Sequence, residues 1–185
     1  MKIFFDTEFT SLIKNTTLIS IGMITENNKT FYAEFTDYDE SLVDEWIYEF
    51  VIKKLQFNDS QNNFFNKDYE NNVICRGNKL YIRDVLKNWL ESFNEEIEFV
   101  SDVCHYDMVL LIDLLADSAI KLPSYINPAC HDINQDIANY LNISEKEAFD
   151  KTREDLIDKS EIKNESKHNS LFDAKIIKLI YEKIK

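Results

Sequence analysis

Alternating and continuous apolar runs along the first third of the chain predict a group of strands. Residues 2–9 form an apolar run that predicts a buried strand, and residues 16–25 and 29–35 form two further β-rich runs. Asn27-Asn28 between the latter two is typical of a primed hairpin turn. A fourth buried strand is expected at residues 97–101. The pattern predicts a mixed sheet with three meandering antiparallel strands and a further, parallel strand beside them.

Helical spacing of apolar residues predicts the other elements. The expected helices cover residues 42–51, 80–93, 105–117, 133–141 and 144–157, with a terminal helix from about Leu171. Ser41 and Asp44 are expected to cap the first of them. Residues 56–72, rich in Asn, predict a loop, with a substrate-facing arm as the alternative. The polar residues 158–167 predict a plain loop or a mobile flap. Together these elements predict an α/β fold over residues 1–185 as a single domain.

Composition narrows the class of protein. At 185 residues and 44% hydrophobic content, the chain is long enough for one compact core. Its three cysteines are scattered and odd in number, which favours a reduced, cytoplasmic protein. No charged and cleavable leader is seen, and no apolar stretch reaches ~18 residues, so no membrane span is expected. The net charge of −13 argues against broad adhesion to nucleic acid, although a local binding site remains compatible with it.

Two carboxylates stand at the end of the first predicted strand. Asp6 and Glu8 are two residues apart, so their side chains point to the same face of a sheet. Two like charges ~4 Å apart repel by roughly 4 kcal/mol at an effective dielectric of 20. Such a pair therefore needs a cation, a proton or bulk water. The pair predicts metal chemistry, with two solvated acids as the alternative.

Further acids and a histidine precede or begin two predicted helices. Five residues sweep about 500° on an ideal helix, which leaves His168 and Asp173 roughly 140° apart, so His168 is expected to precede the terminal helix. Ser170 and Asp173 are expected to cap that helix, with Asp173 in its first turn. Asp107 is expected in the first turn of another helix. As the alternative, Asp107 and Asp173 could each only stabilise the N-terminus of its own helix through the helix dipole.

These five residues resemble the signature of the DEDDh group of 3′-to-5′ exonucleases, which have an RNase H-like fold. Asp6-Thr7-Glu8 is similar to the first motif of that group, Tyr106-Asp107 to the second, and His168 with Asp173 to the third. The likeness covers nearly the whole chain and is strongest to a branch of small bacterial 3′-to-5′ exoribonucleases. The chain departs from the pattern at three places: Asp102-Val103 stands where many relatives have His-Asn, Ser170 where alanine is common, and Phe9 where threonine is often found.

The resemblance implies two-metal hydrolysis of phosphodiester bonds from a 3′-hydroxyl end, with release of 5′-mononucleotides. It implies that Asp6, Glu8 and Asp173 hold one Mg²⁺ or Mn²⁺ ion and that Asp6 and Asp107 hold a second. His168 would take the proton from the attacking water, because an imidazole is available for this near neutral pH.

The resemblance also implies the partners. The 3′ end of RNA is the expected substrate, with Thr7, Phe9 and Tyr106 as substrate-binding residues. The alternatives are a DNA exonuclease of the same chemistry and a catalytically silent nucleic-acid-binding domain. A homodimer is expected by analogy with related nucleases.

Overall fold

The computed structural model describes residues 1–57, 64–157 and 168–185, which form a mixed sheet with helices on both faces. The strands are β1 Lys2–Phe9, β2 Leu18–Thr25, β3 Thr30–Phe35, β4 Phe65–Tyr69, β5 Asn72–Gly77, β6 Glu98–Ser101 and β7 His131–Asp132. The helices are α1 Glu45–Phe50, α2 Lys79–Glu91, α3 Cys104–Ala116, α4 Ile133–Leu141, α5 Glu145–Phe149 and α6 Ser170–Ile184.

The sheet has the strand order β4-β5-β3-β2-β1-β6-β7. Strands β1, β2 and β3 form an antiparallel meander, and β6 runs parallel to β1. On the outer sides, β5 is parallel to β3, β4 is antiparallel to β5, and the short β7 is parallel to β6. The predicted α/β class is confirmed, and so are the antiparallel N-terminal strands with a further parallel strand.

The two larger apolar clusters hold α2, α3, α4 and α6 against the sheet. On one face Ile3 and Phe5 of β1 pack in a cluster with residues of α2 and α3 such as Leu86 and Leu111. On the other face Phe4 lies in a cluster with residues of α4 and α6. Every residue of β2 is buried, because both faces of this central strand are covered. The side chains of Asp6 and Glu8 alternate with those of Thr7 and therefore share the α6 face of β1 with Phe4.

The hairpin turn predicted between β2 and β3 has a different geometry in the structure. In the β2–β3 connection only Asn28 has a positive φ, 64°, and the amide of Thr25 bonds to the carbonyl of Lys29, so the connection is a three-residue turn rather than a primed two-residue turn. The primed geometry is found instead between β4 and β5, where Glu70 and Asn71 have φ values of 54° and 66°.

The loop predicted for residues 56–72 is wrong from Phe65 onward, because β4, this turn and the start of β5 lie there. Strand β4 lies at the edge of the sheet and exposes nearly all its side chains, so its sequence has no alternation. Residues 58–63 of that segment lie outside the described part.

Two predicted helices begin or end differently. Helix α1 is capped by Asp44, whose Oδ1 accepts a hydrogen bond from the amide of Ile47 at 2.8 Å. Ser41 belongs instead to a preceding 3₁₀ turn, so the predicted Ser41 cap is wrong. Helix α5 begins with the capping box of Ser144 and Glu147 and ends at Phe149, well before residue 157. The predicted flap at residues 158–167 lies outside the described residues.

The start of α6 packs directly on the backbone of β2 at Gly22. A Cβ atom added at this glycine would lie 2.1 Å from the amide nitrogen of Leu171 and 2.2 Å from the carbonyl carbon of Ser170. The Ser170 hydroxyl, also buried, is 2.9 Å from the hydroxyl of Ser20 on the same strand. Only a residue without a side chain allows α6 to begin so close to the sheet.

Gly22→Ala is expected to destabilise the fold by about 3 kcal/mol or more, because the added methyl group meets backbone that cannot rotate away. Ser170→Ala at the same contact is the matched control and should cost about 1 kcal/mol, since it removes one buried hydrogen bond without adding volume. Thermal unfolding of both variants measures the difference. Equal melting temperatures for the two would contradict the close packing of α6 on β2.

Candidate active site

A cavity of about 760 Å³ opens where β1 ends beside the start of α3 and α6. Its lining includes all five residues singled out by the motifs, namely Asp6, Glu8, Asp107, His168 and Asp173. Because β1 and β6 are parallel, their carboxyl ends meet at one edge of the sheet, and that edge is the usual location of ligand sites in α/β folds.

The loop before α6 places the third motif. Asp173 lies in the first turn of the helix and His168 precedes it, as the angular argument predicts. His168 has a positive φ of 64°, and its backbone amide donates to Oδ2 of Asp173 at 3.1 Å. The cap is Asn169, whose Oδ1 accepts from the amide of Phe172 at 3.2 Å, so the predicted Ser170 cap is wrong. Ser170 instead faces β2, where its hydroxyl bonds to Ser20.

Helix α3 delivers Asp107 to the same cavity from the opposite face of the sheet. The carboxyl group is 2% exposed and accepts hydrogen bonds from the hydroxyls of Thr7, at 2.5 Å, and Ser101, at 2.7 Å. These two bonds fix the orientation of the carboxyl group, because each comes from a residue held in a strand. Thr7 thus supports an acid through its side chain, and its predicted contact with substrate stays a prediction.

The acids and the histidine form two adjacent groups. One ligand atom from each of Glu8, His168 and Asp173 lies within 4.8 Å of the other two. One carboxylate oxygen from Asp6, Asp107 and a further residue, Asp102, lies within the same distance of the others. Asp102 follows β6 directly and was not predicted as a site residue. Its only sequence signal was its departure from the His-Asn pattern five residues before Asp107.

Burial and mutual repulsion shift the protonation of these acids. Burial, followed by the charges of Asp107 and Asp173, raises the pKa of Asp6 well above its ordinary value. Burial and the same two charges raise the pKa of Glu8 from 4.5 to about 8. Burial raises the pKa of Asp107 to about 7, against the hydrogen bonds from Thr7 and Ser101 that lower it. Ionising all three carboxyl groups together is therefore unfavourable near neutral pH, and a bound cation would favour their ionised form.

The donor set fits hard divalent cations. Both groups consist of carboxylate oxygens, and one of them adds a single imidazole nitrogen. Oxygen-rich sites of this kind suit Mg²⁺ and Mn²⁺, whereas zinc and copper sites are richer in histidine and cysteine.

Aromatic side chains line or support the cavity near its acids. Phe9, a lining residue, stacks on Tyr106 with ring centroids 5.4 Å apart and an interplanar angle of 17°. The hydroxyl of Tyr106 donates to the carbonyl of Leu12 at 3.1 Å. Across the cavity, the ring of Trp46 lies 5.0 Å from that of His168 in an edge-to-face arrangement. Trp46 was not singled out in the sequence, because its place in an amphipathic helix pattern predicts an ordinary core residue.

Comparisons with known proteins give sequences and a structure with exonuclease names. No protein-family model matches the chain. Two curated proteins, each named 3′-5′ exoribonuclease and from two strains of Mycobacterium tuberculosis, are 36% identical to the chain over 55 residues. That match covers 30% of the chain and 33% of each relative, so it spans a third of the relatives' length.

Among the helices of the described residues, none has the length and apolar content that a membrane span requires.

The solved structures include one described as a full-length 3′-exonuclease. It covers 99% of this chain and 80% of its own, with a TM-score of 0.59 and 13% sequence identity. The similarity extends across the whole sheet and its helices rather than over the short segment matched in sequence. The chain therefore shares the fold of that exonuclease.

Proposed function

We propose that this protein is a metal-dependent 3′-to-5′ exonuclease of the DEDDh type, with an RNase H-like fold and RNA as its substrate. The observation that carries the proposal is the pairing of the two ligand groups, Glu8-His168-Asp173 and Asp6-Asp102-Asp107, in one cavity. The 3′-exonuclease that shares the fold and the exoribonuclease names of the partial relatives support the same reaction.

Four carboxylates are the proposed metal ligands. By the resemblance, Asp6, Glu8 and Asp173 would hold one Mg²⁺ or Mn²⁺ ion, and Asp6 with Asp107 would hold the other. All four carboxylates line the same cavity. When bound, two such ions lower the pKa of a water molecule and neutralise charge on the attacking and leaving oxygens of a phosphodiester. Asp6 is the proposed shared ligand because the charges of both Asp107 and Asp173 act on its carboxylate.

The remaining groups would act on protons and on the nucleic acid. His168 would accept the proton of the attacking water. The bond from its backbone amide to Asp173 and the edge-to-face contact of its ring with Trp46 hold His168 in place. Phe9 would offer a face to the terminal base, since stacking on an aromatic ring tolerates any base. The net charge of −13 is compatible with this substrate if the metal ions neutralise the acids that face the cleaved phosphate.

A single set of labelled strands tests the reaction, its direction and its sugar preference. The substrates are 5′-labelled RNA and DNA of one sequence, each with a 3′-hydroxyl or a 3′-phosphate, together with a circular RNA. We expect one-nucleotide steps from the 3′-hydroxyl RNA, strong inhibition by the 3′-phosphate, and RNA cleaved at least about tenfold faster than DNA, because a site that bonds the 2′-hydroxyl loses that partner in DNA.

Asp173→Asn, purified in the same way, is the control for contaminating nucleases and should be inactive. Cleavage of the circular RNA at a rate similar to the linear strand would contradict the exonuclease proposal. Equal rates on RNA and DNA would remove the ribonuclease assignment and favour the DNA exonuclease. No cleavage of any strand with either metal would favour a catalytically silent binding domain.

A further inference from the structure

The acid beside the proposed second metal position is paired with an arginine from a distant part of the chain. Asp102 has one oxygen in the group with Asp6 and Asp107, and its Oδ2 accepts a hydrogen bond from Nε of Arg153 at 2.9 Å. The two side chains are 17% and 15% exposed, so the ion pair is largely shielded from water. A pair with this shielding is stronger than an ion pair at the surface.

The guanidinium of Arg153 is held from several sides. Its Nη2 donates to Oδ1 of Asn134 at 2.6 Å, and its Nη1 donates to the carbonyls of Ala148, at 2.9 Å, and Lys151, at 3.3 Å. Asn134 in turn donates through Nδ2 to the backbone carbonyl of Asp102 at 2.5 Å. The arginine therefore joins the end of β6 to α4 and to the segment after α5. Four of its five N–H groups bond to other described residues of the protein, at the border of the cavity.

Charge balance gives this pair a role. The four proposed ligands Asp6, Glu8, Asp107 and Asp173 carry four negative charges, which two divalent cations would neutralise. An unpaired Asp102 would add a fifth negative charge within 4.8 Å of Asp6 and Asp107. The guanidinium of Arg153 balances that charge, and its bond to Oδ2 restricts the rotation of the Asp102 carboxylate.

We infer that Arg153 is a positioning residue for the proposed two-metal site, which acts through Asp102 to set how tightly the Asp6-Asp107 side binds a divalent cation. The inference rests on the proposed function. It concerns Asp102, which departs from the pattern of the resembled group, and an arginine 51 residues further along this chain.

Binding of Mn²⁺ to the metal-stripped full-length protein, followed by the paramagnetic resonance signal of the free ion, tests the inference. Two Mn²⁺ ions are expected to bind, and the affinity of the more weakly bound one is the quantity compared. Arg153→Met should raise this affinity about five- to tenfold, because it leaves the negative charge of Asp102 unbalanced. Asp102→Asn should lower it by a similar factor, because it leaves the positive charge of Arg153 unbalanced. The double variant should return to within about twofold of the parent, because each change cancels the charge effect of the other. Arg153→Lys, which keeps the charge, should also bind as the parent does.

Arg83→Met is the matched control, since Arg83 is 16% exposed and pairs with Asp117 away from the cavity. It should lower the melting temperature without changing Mn²⁺ affinity. In steady-state kinetics on RNA, Arg153→Met should raise KM at least about threefold, because the uncovered acid repels the phosphates, whereas Arg83→Met should leave KM unchanged.

The failure of this inference differs from the failure of the proposed function. If the parent binds Mn²⁺ but Arg153→Met and Asp102→Asn shift its affinity in the same direction, or not at all, the pair is structural and the inference is overturned. If the parent binds no Mn²⁺, the proposed metal site is wrong and the inference falls with it. If the parent binds Mn²⁺ without cleaving RNA, the proposed function alone is overturned, and the opposite shifts still support the role of the pair.

Discussion

Asp6→Asn is expected to lower the rate of nucleotide release by at least about a thousandfold, which is ~4 kcal/mol of transition-state stabilisation. The amide is nearly the same size as the carboxylate but cannot bridge two cations, and Asp6 is the proposed ligand of both. A loss of this size should occur with Mg²⁺ and with Mn²⁺, because it reflects a missing ligand rather than a preference between metals.

The same substitution should stabilise the metal-free protein. Asp6 has a pKa raised well above its ordinary value by burial and by neighbouring acids, so its contribution to folding is present at low pH and is lost as the pH rises and the buried carboxyl ionises. Glu8 and Asp107, with pKa values raised to about 8 and about 7, add to this loss over the same range. With a chelator present, the parent should therefore melt at a lower temperature at about pH 8 than at about pH 5.

Thermal melting of Asp6→Asn and the parent at both pH values, with and without Mn²⁺, measures this effect. In the chelator the variant should melt above the parent near pH 8, whereas Mn²⁺ should raise the melting temperature of the parent more than that of the variant. Asp84→Asn, at an exposed acid on α2, is the control and should change neither activity nor melting. Retained nuclease activity in Asp6→Asn would refute its assignment as the shared ligand, and a lower melting temperature under all conditions would identify Asp6 as a structural residue.

Local geometry explains why much of the site could be predicted from the sequence. Alternation along a strand is enough to place Asp6 and Glu8 on one face, and the rotation per residue of a helix is enough to place His168 before α6. Both predictions depend only on residues a few positions apart. The position of Asp107 in the first turn of a helix also follows from the local pattern, and the structure confirms it in α3. The resemblance to a known family added the expected role of Asp107 as a metal ligand.

Long-range pairing explains what could not be predicted. Asp102 reaches the cavity because β6 runs parallel to β1, with Phe99 opposite Ile3, and Arg153 reaches Asp102 across 51 residues of chain. Neither contact leaves a periodic signal in the sequence. Strand β4 is missed for a related reason: an edge strand with exposed side chains has no buried face to impose alternation. The sequence predicts elements well where one face is buried and poorly where a contact depends on the assembled sheet.

His168→Asn is expected to lower the turnover number ~10²–10⁴-fold, the usual effect of removing a positioned proton acceptor. Asparagine is the informative replacement, because His168 has a φ of 64° and asparagine tolerates this left-handed backbone better than most residues. The amide to Oδ2 bond with Asp173 is made by the backbone, so it should survive the substitution. His168→Ala should show a similar loss of turnover and a lower melting temperature, which separates the chemical effect from the backbone effect.

The imidazole of His168 has a nitrogen within 4.8 Å of a carboxylate oxygen of Glu8 and of Asp173, so it could act as a proton acceptor or as a metal ligand. Mn²⁺ binding distinguishes these two roles. As a proton acceptor, His168 should be replaceable by asparagine with Mn²⁺ affinity within about twofold of the parent and KM nearly unchanged, while turnover falls. Single-turnover cleavage at saturating RNA and metal measures the chemical step directly. A loss that excess Mn²⁺ restores would make His168 a ligand, and turnover within a few-fold of the parent would make it a loop residue whose ring only fills the space beside Trp46.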